Sequence, residues 1–256
     1  NFRELRPVGG GSMMKDVCDR LPTIVLRTIH RTKDMELLDF LRHVRVQQPS
    51  RSYLESFFRG RHLSGDLRGV VASTVAWMTA ELGRMFVWLC VTNSGADRVH
   101  AAVLANLGVD TASGIPGDPT VYACRIVVIV GIYVRLTRNL DKDRGFVNGA
   151  IGVIEVALSA ADGVFLARLT TGTLVLVHPI TVDEVTFLPC AYGYATTIRR
   201  AQGASLDQGC LYFDHRYPPD RGYAYVGANR FRSKAGVFLY GKIRRTDWLP
   251  VDGHGE

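Results

Sequence analysis

The chain lacks the cysteine patterns that build a small stapled fold. Its five cysteines, Cys18, Cys90, Cys124, Cys190 and Cys210, are odd in number and widely spaced, with no Cys-x-x-Cys pair. That excludes a zinc ribbon and a disulfide framework, and fits reduced thiols in an intracellular protein. Nuclear, mitochondrial and cytoplasmic locations stay open. The seven histidines include no His-Glu-x-x-His pattern, so no metal site of that kind is expected. No signal-peptide pattern and no apolar run of bilayer-spanning length is visible, so no membrane partner is expected. Acidic residues are in deficit, 24 against 31 Lys and Arg, which leaves a net charge of +7. Such a balance favours an anionic partner such as nucleic acid or nucleotide.

Two further absences concern phosphate chemistry. There is no Gly-x-x-x-x-Gly-Lys-Ser/Thr. Gly236 to Lys242 has the glycine and lysine spacing of a P-loop, but Ile243 stands where a magnesium-binding hydroxyl is required. The intervening Val-Phe-Leu-Tyr reads as strand. Ile29 to Asp34, after the first apolar run, contains no glycine, which counts against a dinucleotide-binding oxidoreductase.

What is present reads as an α/β chain. Apolar strands are expected at Thr23–Leu26, Phe86–Val91, Arg125–Leu136, Cys210–Phe213 and Gly236–Gly241. Helices are expected over Asp34–Arg45, from a Ser52–Glu55 capping box through Phe58, over Val70–Leu82, and from Ser94 through Leu107. Helices between several of the strands point to a largely parallel sheet. Between Val153 and His178, short strands with turns at Asp162-Gly163 and Thr171-Gly172 point to a small barrel or curled sheet. Residues 1–22, with Gly9-Gly10-Gly11-Ser12, read as a linker or as the tail of a preceding domain. The chain starts at Asn1 rather than Met, so a piece of a longer protein is expected.

Two stretches carry the chemistry. In Tyr194 to Leu206, Thr196, Thr197, Arg199 and Arg200 are all donors suited to phosphate, and they lead into Gln202-Gly203. Gly203, without a Cβ, lets a ligand approach the backbone. In Tyr223 to Arg232, a short apolar run ends on Arg230, which stays charged at any working pH. A phosphate-facing loop with one presented arginine suits phosphoryl-transfer motors. A surface loop and a solvated arginine would leave the same composition.

These stretches resemble the fifth and sixth motifs of superfamily 1 DNA helicases, of the Pif-type and RecD-like branch. Thr197, Ile198, Gln202, Gly203 and Leu206 match the fifth motif, with Ser205 standing in for Thr. Tyr225, Val226, Ala228 or its neighbour, and Arg230 match the sixth. Arg199, Arg200 and Ala201 depart from the fifth, and Asn229 departs from the sixth. A third match is Arg138-Asn139-Leu140 followed by Gly145-Phe146-Val147-Asn148-Gly149-Ala150-Ile151-Gly152. Arg31 resembles an arginine that follows a strand and faces nucleotide. Thr92-Asn93 resembles a strand tip that touches the DNA backbone.

The resemblance implies a RecA-like second motor domain over 23–256, with a small β-barrel insert at about 146–190. It implies an ATP-dependent DNA helicase that translocates on single-stranded DNA and unwinds duplex. ATP and Mg2+ would be held mainly by a first motor domain absent from this chain, which would be inactive alone and monomeric. Arg31 and Arg230 would be catalytic, and Gln202 and Gly203 would join them at the nucleotide. Thr92, Asn93, Asn148, Thr197, Arg199 and Arg200 would touch DNA. A non-catalytic single-strand-binding remnant of a helicase is the alternative.

Overall fold

The computed structural model describes residues 32–80, 85–121, 124–215 and 220–251. The expected linker, the strand at Thr23–Leu26 and Arg31 lie outside them. The central feature is a five-stranded sheet in which every pairing is parallel. Its order is β1 (His62–Leu63), β14 (Val237–Tyr240), β13 (Gln208–Tyr212), β2 (Phe86–Cys90) and β12 (Ala195–Thr197). Every residue of β2 is buried, as the continuous apolar run Phe-Val-Trp-Leu-Cys requires of a strand covered on both faces.

Strand alternation divides β2 between two cores. Phe86, Trp88 and Cys90 pack with α3 (Leu67–Ala80) and α4 (Asn93–Asn106), through Val71, Val75, Val99 and Val103. Val87 and Leu89 pack with α1 (Met35–Val46), α2 (Arg51–Phe57) and α5 (Tyr223–Ala228), through Leu37, Phe40, Leu54 and Val226. Helices therefore cover both faces of a parallel sheet, the layering of an α/β RecA-like domain.

The helix starts differ from expectation by a few residues. Ser50, not Ser52, caps α2, accepting from the Tyr53 amide at 3.1 Å. Thr92, not Ser94, caps α4, accepting from the Gly95 amide at 3.0 Å. In both cases the earlier hydroxyl sits in extended backbone, where its oxygen reaches the orphan amides of the first turn.

The run Arg125–Leu136 does not enter the parallel sheet. Its first part, β4 (Arg125–Ile126), pairs antiparallel with β3 (Ile115–Pro116). Its second, β5 (Tyr133–Leu136), belongs to an antiparallel five-stranded sheet with β6 (Ile151–Ser159), β7 (Val164–Leu169), β8 (Leu174–Val177) and β11 (Cys190–Tyr192). Its order is β11-β5-β6-β7-β8, and two register shifts in β6 bend it. A hairpin of β9 (Ile180–Val182) and β10 (Val185–Phe187) precedes β11. The P-loop look-alike is strand: Val237–Tyr240 is β14, hydrogen-bonded between β1 and β13.

Candidate nucleic-acid interface

The stretch from Tyr194 to Leu206 begins as β12, at the edge of the parallel sheet beside β2, with Thr197 opposite Cys90. The chain then turns through residues 198–203, and Gly203 adopts a φ of 88°. That left-handed conformation suits glycine, and no atom stands within 4 Å of where its Cβ would be. The bend is held from below, where the Leu206 amide donates to the Arg230 carbonyl at 2.8 Å and the Arg232 amide to the Leu206 carbonyl at 3.0 Å. Gln202-Gly203 and the segment ending α5 are thus neighbours in the fold.

Beside this bend lies a cavity of about 380 Å³. Thr196, Arg200, Gln202 and Gly203 line it from the parallel-sheet side. Asn148 and Arg135 line it from the antiparallel side, and Val87 and Leu89 form an apolar wall. Asn148 is set by a turn in which its amide donates to the Asn139 side chain at 2.9 Å and the Gly149 amide to the Leu136 carbonyl at 2.8 Å. Arg200 reaches across the rim, donating to the Asn93 side chain at 3.2 Å and to the Val121 carbonyl at 2.5 Å. Four expected residues, Asn148, Arg200, Gln202 and Gly203, thus meet at one cleft, with Asn93 joined to it through Arg200.

The other expected residues are placed differently. Arg230 is fully buried rather than presented. Its Nε donates to the Val226 carbonyl at 2.9 Å, so the side chain folds back along the last turn of α5, where a cation suits the helix C-terminus. Arg199 turns away from the cleft toward α5: it donates to the Tyr223 hydroxyl, stacks on that ring at 5.1 Å and pairs with Asp220 at 3.4 Å. Thr197 is buried, its hydroxyl accepting from the Arg200 amide at 3.3 Å.

Thr92 is committed inside the fold. Beyond capping α4, its hydroxyl donates to Asp214 Oδ2. Asp214 Oδ1 accepts from the Val91 and Thr92 amides at 2.7 and 3.2 Å, and Arg98 stands 3.6 Å from Oδ2. With no exposed side-chain surface, this carboxylate at the end of β13 pins two strand tips together. It does not fit a magnesium ligand, because its oxygens already serve these donors.

Sequence reasoning missed Arg135, Asp118 and His100. Asp118 receives both arms of Arg138, at 2.6 and 3.0 Å. Burial would raise its pKa, but Arg138 and Thr120 hold it down at about 2. The pair clamps the loop that follows β3 to the segment after β5. His100 in α4 accepts from the Ala195 amide at 3.0 Å, behind β12. Burial, reinforced by the nearby Arg135 charge, lowers its pKa to about 3 and keeps it neutral. An arginine in an apolar strand and a histidine in a helix carry no pattern of their own, so only the assembled fold identifies them.

No protein-family model matches the chain. Among curated proteins, the ATP-dependent DNA helicase PIF1 of Xenopus laevis is 30% identical over 119 residues, 42% of this chain and 18% of that protein. The PIF1 helicase of Mus musculus is 26% identical over an alignment of 268 residues, 93% of this chain and 38% of that protein. Among solved structures, Pif1 helicase from Bacteroides in complex with ADP-AlF3 and ssDNA has a TM-score of 0.62 at 18% identity, over 98% of this chain and 63% of that one. Pif1 helicase from Candida albicans has a TM-score of 0.63 at 19% identity, over 90% of this chain and 59% of that one. The chain therefore has the RecA-like fold and is related to Pif1-type superfamily 1 helicases. It spans less than two thirds of the length of each of these relatives.

Proposed function

We propose that this chain is the second RecA-like motor domain of an ATP-dependent DNA helicase and that its cleft holds single-stranded DNA. One observation carries the reading. Residues from three distant segments, Asn93, Asn148 and Arg200 to Gly203, gather at one cleft, whose lining has two guanidiniums and no carboxylate. Arg200 at the rim supplies charge for a phosphate. Thr196, Gln202 and Asn148 supply uncharged donors, and open Gly203 lets the strand approach the backbone.

The nucleotide role assigned to Gln202, Gly203, Arg230 and Arg31 rests on the resemblance. ATP and Mg2+ would be held mainly by a first motor domain bearing the P-loop missing from this sequence. ATP bound there would supply the energy of translocation through hydrolysis of its terminal phosphate. This chain's part is to close over the phosphates from the far side, with the solvent-open edge of the 201–206 bend. Arg230 would take part only after its guanidinium leaves the Val226 carbonyl. On this reading the insert at about 146–190 contributes β6, β7 and β8 to the antiparallel sheet.

The test is oligonucleotide binding by the full chain with salt varied, beside an ATPase assay. Expected are weak, strongly salt-dependent binding and no turnover. Vigorous ATP hydrolysis by the chain alone, or binding indifferent to salt, refutes the assignment. The buried Arg230 favours a second reading, a single-strand-binding remnant that no longer senses nucleotide. Adding a first motor domain from a related helicase separates the two: restored DNA-stimulated ATPase supports the motor half, and its absence supports the remnant.

A further inference from the structure

The cleft contains a guanidinium that no sequence motif nominates. Arg135 lies in β5 between Val134 and Leu136, both of which join the core. Strand alternation turns its side chain the other way, and it lines the cleft with Thr196, Arg200, Gln202 and Asn148. Only 4% of its surface is exposed, so it forms the floor rather than the rim. Its backbone pairs with Ile151 on one side and Ala191 on the other, which fixes it in the interior of the antiparallel ladder. A side chain mounted on such a strand is held more precisely than one on a loop.

A guanidinium keeps its proton at every working pH. The cleft is therefore permanently positive, with Arg135 below, Arg200 above and no acidic residue in the lining. Low-dielectric walls focus such a field and raise the local concentration of anions. The planar fork of arginine matches a phosphate with two parallel hydrogen bonds. Val87, Leu89 and Ile151 supply the apolar walls, which suit sugar and base rather than a small hydrated ion.

We propose that Arg135 grips a backbone phosphate of the single strand from the floor of the cleft, while Arg200 holds the strand at the rim. This rests on the single-strand reading above and adds a residue to it. A phosphate oxyanion is the chemistry recognised, and a nucleotide carries one as well, so the test includes both probes.

The full chain is titrated onto a fluorescein-labelled oligothymidylate at several salt concentrations, and separately with a fluorescent ADP. In Arg135→Met, binding of the oligonucleotide is expected to weaken roughly ten- to a hundredfold. The slope of log K against log salt should become shallower by about 0.7, the signature of one lost phosphate contact on a single strand. A role confined to holding the fold would leave that slope unchanged, so parallel slopes overturn the proposal. Loss of ADP binding with the oligonucleotide unaffected also overturns it. If Arg135→Met fails to fold, Arg135→Gln keeps amide donors, removes only the charge and is read in the same way. A wild-type chain that does not bind the oligonucleotide refutes the single-strand reading itself, an outcome distinct from normal binding with an unaltered Arg135 variant.

Discussion

Replacing Gly95 by alanine should change sign with its background. Gly95 lies in the first turn of α4, and a Cβ there would fall 2.1 Å from Asp214 Oδ2 and 2.3 Å from Cγ. The carboxylate cannot swing aside freely, because the Val91 and Thr92 amides and the Thr92 hydroxyl all donate to it. Gly95→Ala must therefore displace Asp214 from these donors, at a cost of about 2 kcal/mol. Asp214→Ala alone removes the same acceptor and leaves two amides and a hydroxyl short of a partner, for about 3–5 kcal/mol. Once Asp214 is gone, the space beside Gly95 is empty. Alanine then brings only its helical advantage over glycine, about 0.5–1 kcal/mol of stabilisation. Urea unfolding of the four proteins of this cycle, followed by tryptophan fluorescence, measures the coupling directly. If Gly95→Ala shifts the midpoint the same way with and without Asp214, the packing argument fails. The cycle also separates a structural Asp214 from a magnesium ligand, since loss of a ligand would leave stability intact.

The clamp between Asp118 and Arg138 has a defined pH window. Its folded pKa, about 2, lies below the ordinary 3.8, so its stabilisation is present above about pH 4 and is lost as pH falls through 2. Asp118→Asn should cost about 2 kcal/mol at pH 7, and its stability should converge with that of the wild type in acid; a difference independent of pH would contradict this. Gly209→Ala should destabilise by about 3 kcal/mol, because its Cβ would meet the Val87 carbonyl at 2.1 Å within the parallel ladder; an unchanged melting temperature would count against that register. In a protein that also carries a P-loop domain, Arg230→Ala should abolish ATP turnover and leave oligonucleotide binding nearly intact. Equal loss of both would assign Arg230 to anchoring α5 alone.

Local pattern was enough for the parts of the molecule whose environment is symmetric. Phe86–Cys90 is apolar at every position because helices cover both faces of its sheet. Asn148-Gly149 marks a turn because Gly149 takes a φ of 91°. Gln202 and Asn148 could be singled out because they follow a family pattern, and Arg200 because its charge leads into the same bend, and the fold brings all three to one cleft. β1 and β12, two and three residues long, are too short to show a period and exist as strands only because β14 and β2 offer them partners.

Direction is what composition could not convey. Arg230 and Arg135 are the same residue type near the same bend. Arg230 folds back on its own helix to meet the Val226 carbonyl, while strand alternation aims Arg135 into the cleft. Thr92 and Asn93 are adjacent in sequence, yet one hydroxyl is bound by Asp214 and the other side chain meets Arg200. Residue type sets what a group can bind. Where that group is aimed depends on the neighbours that folding brings beside it, which for Thr92 and Asn93 come from segments more than a hundred residues away.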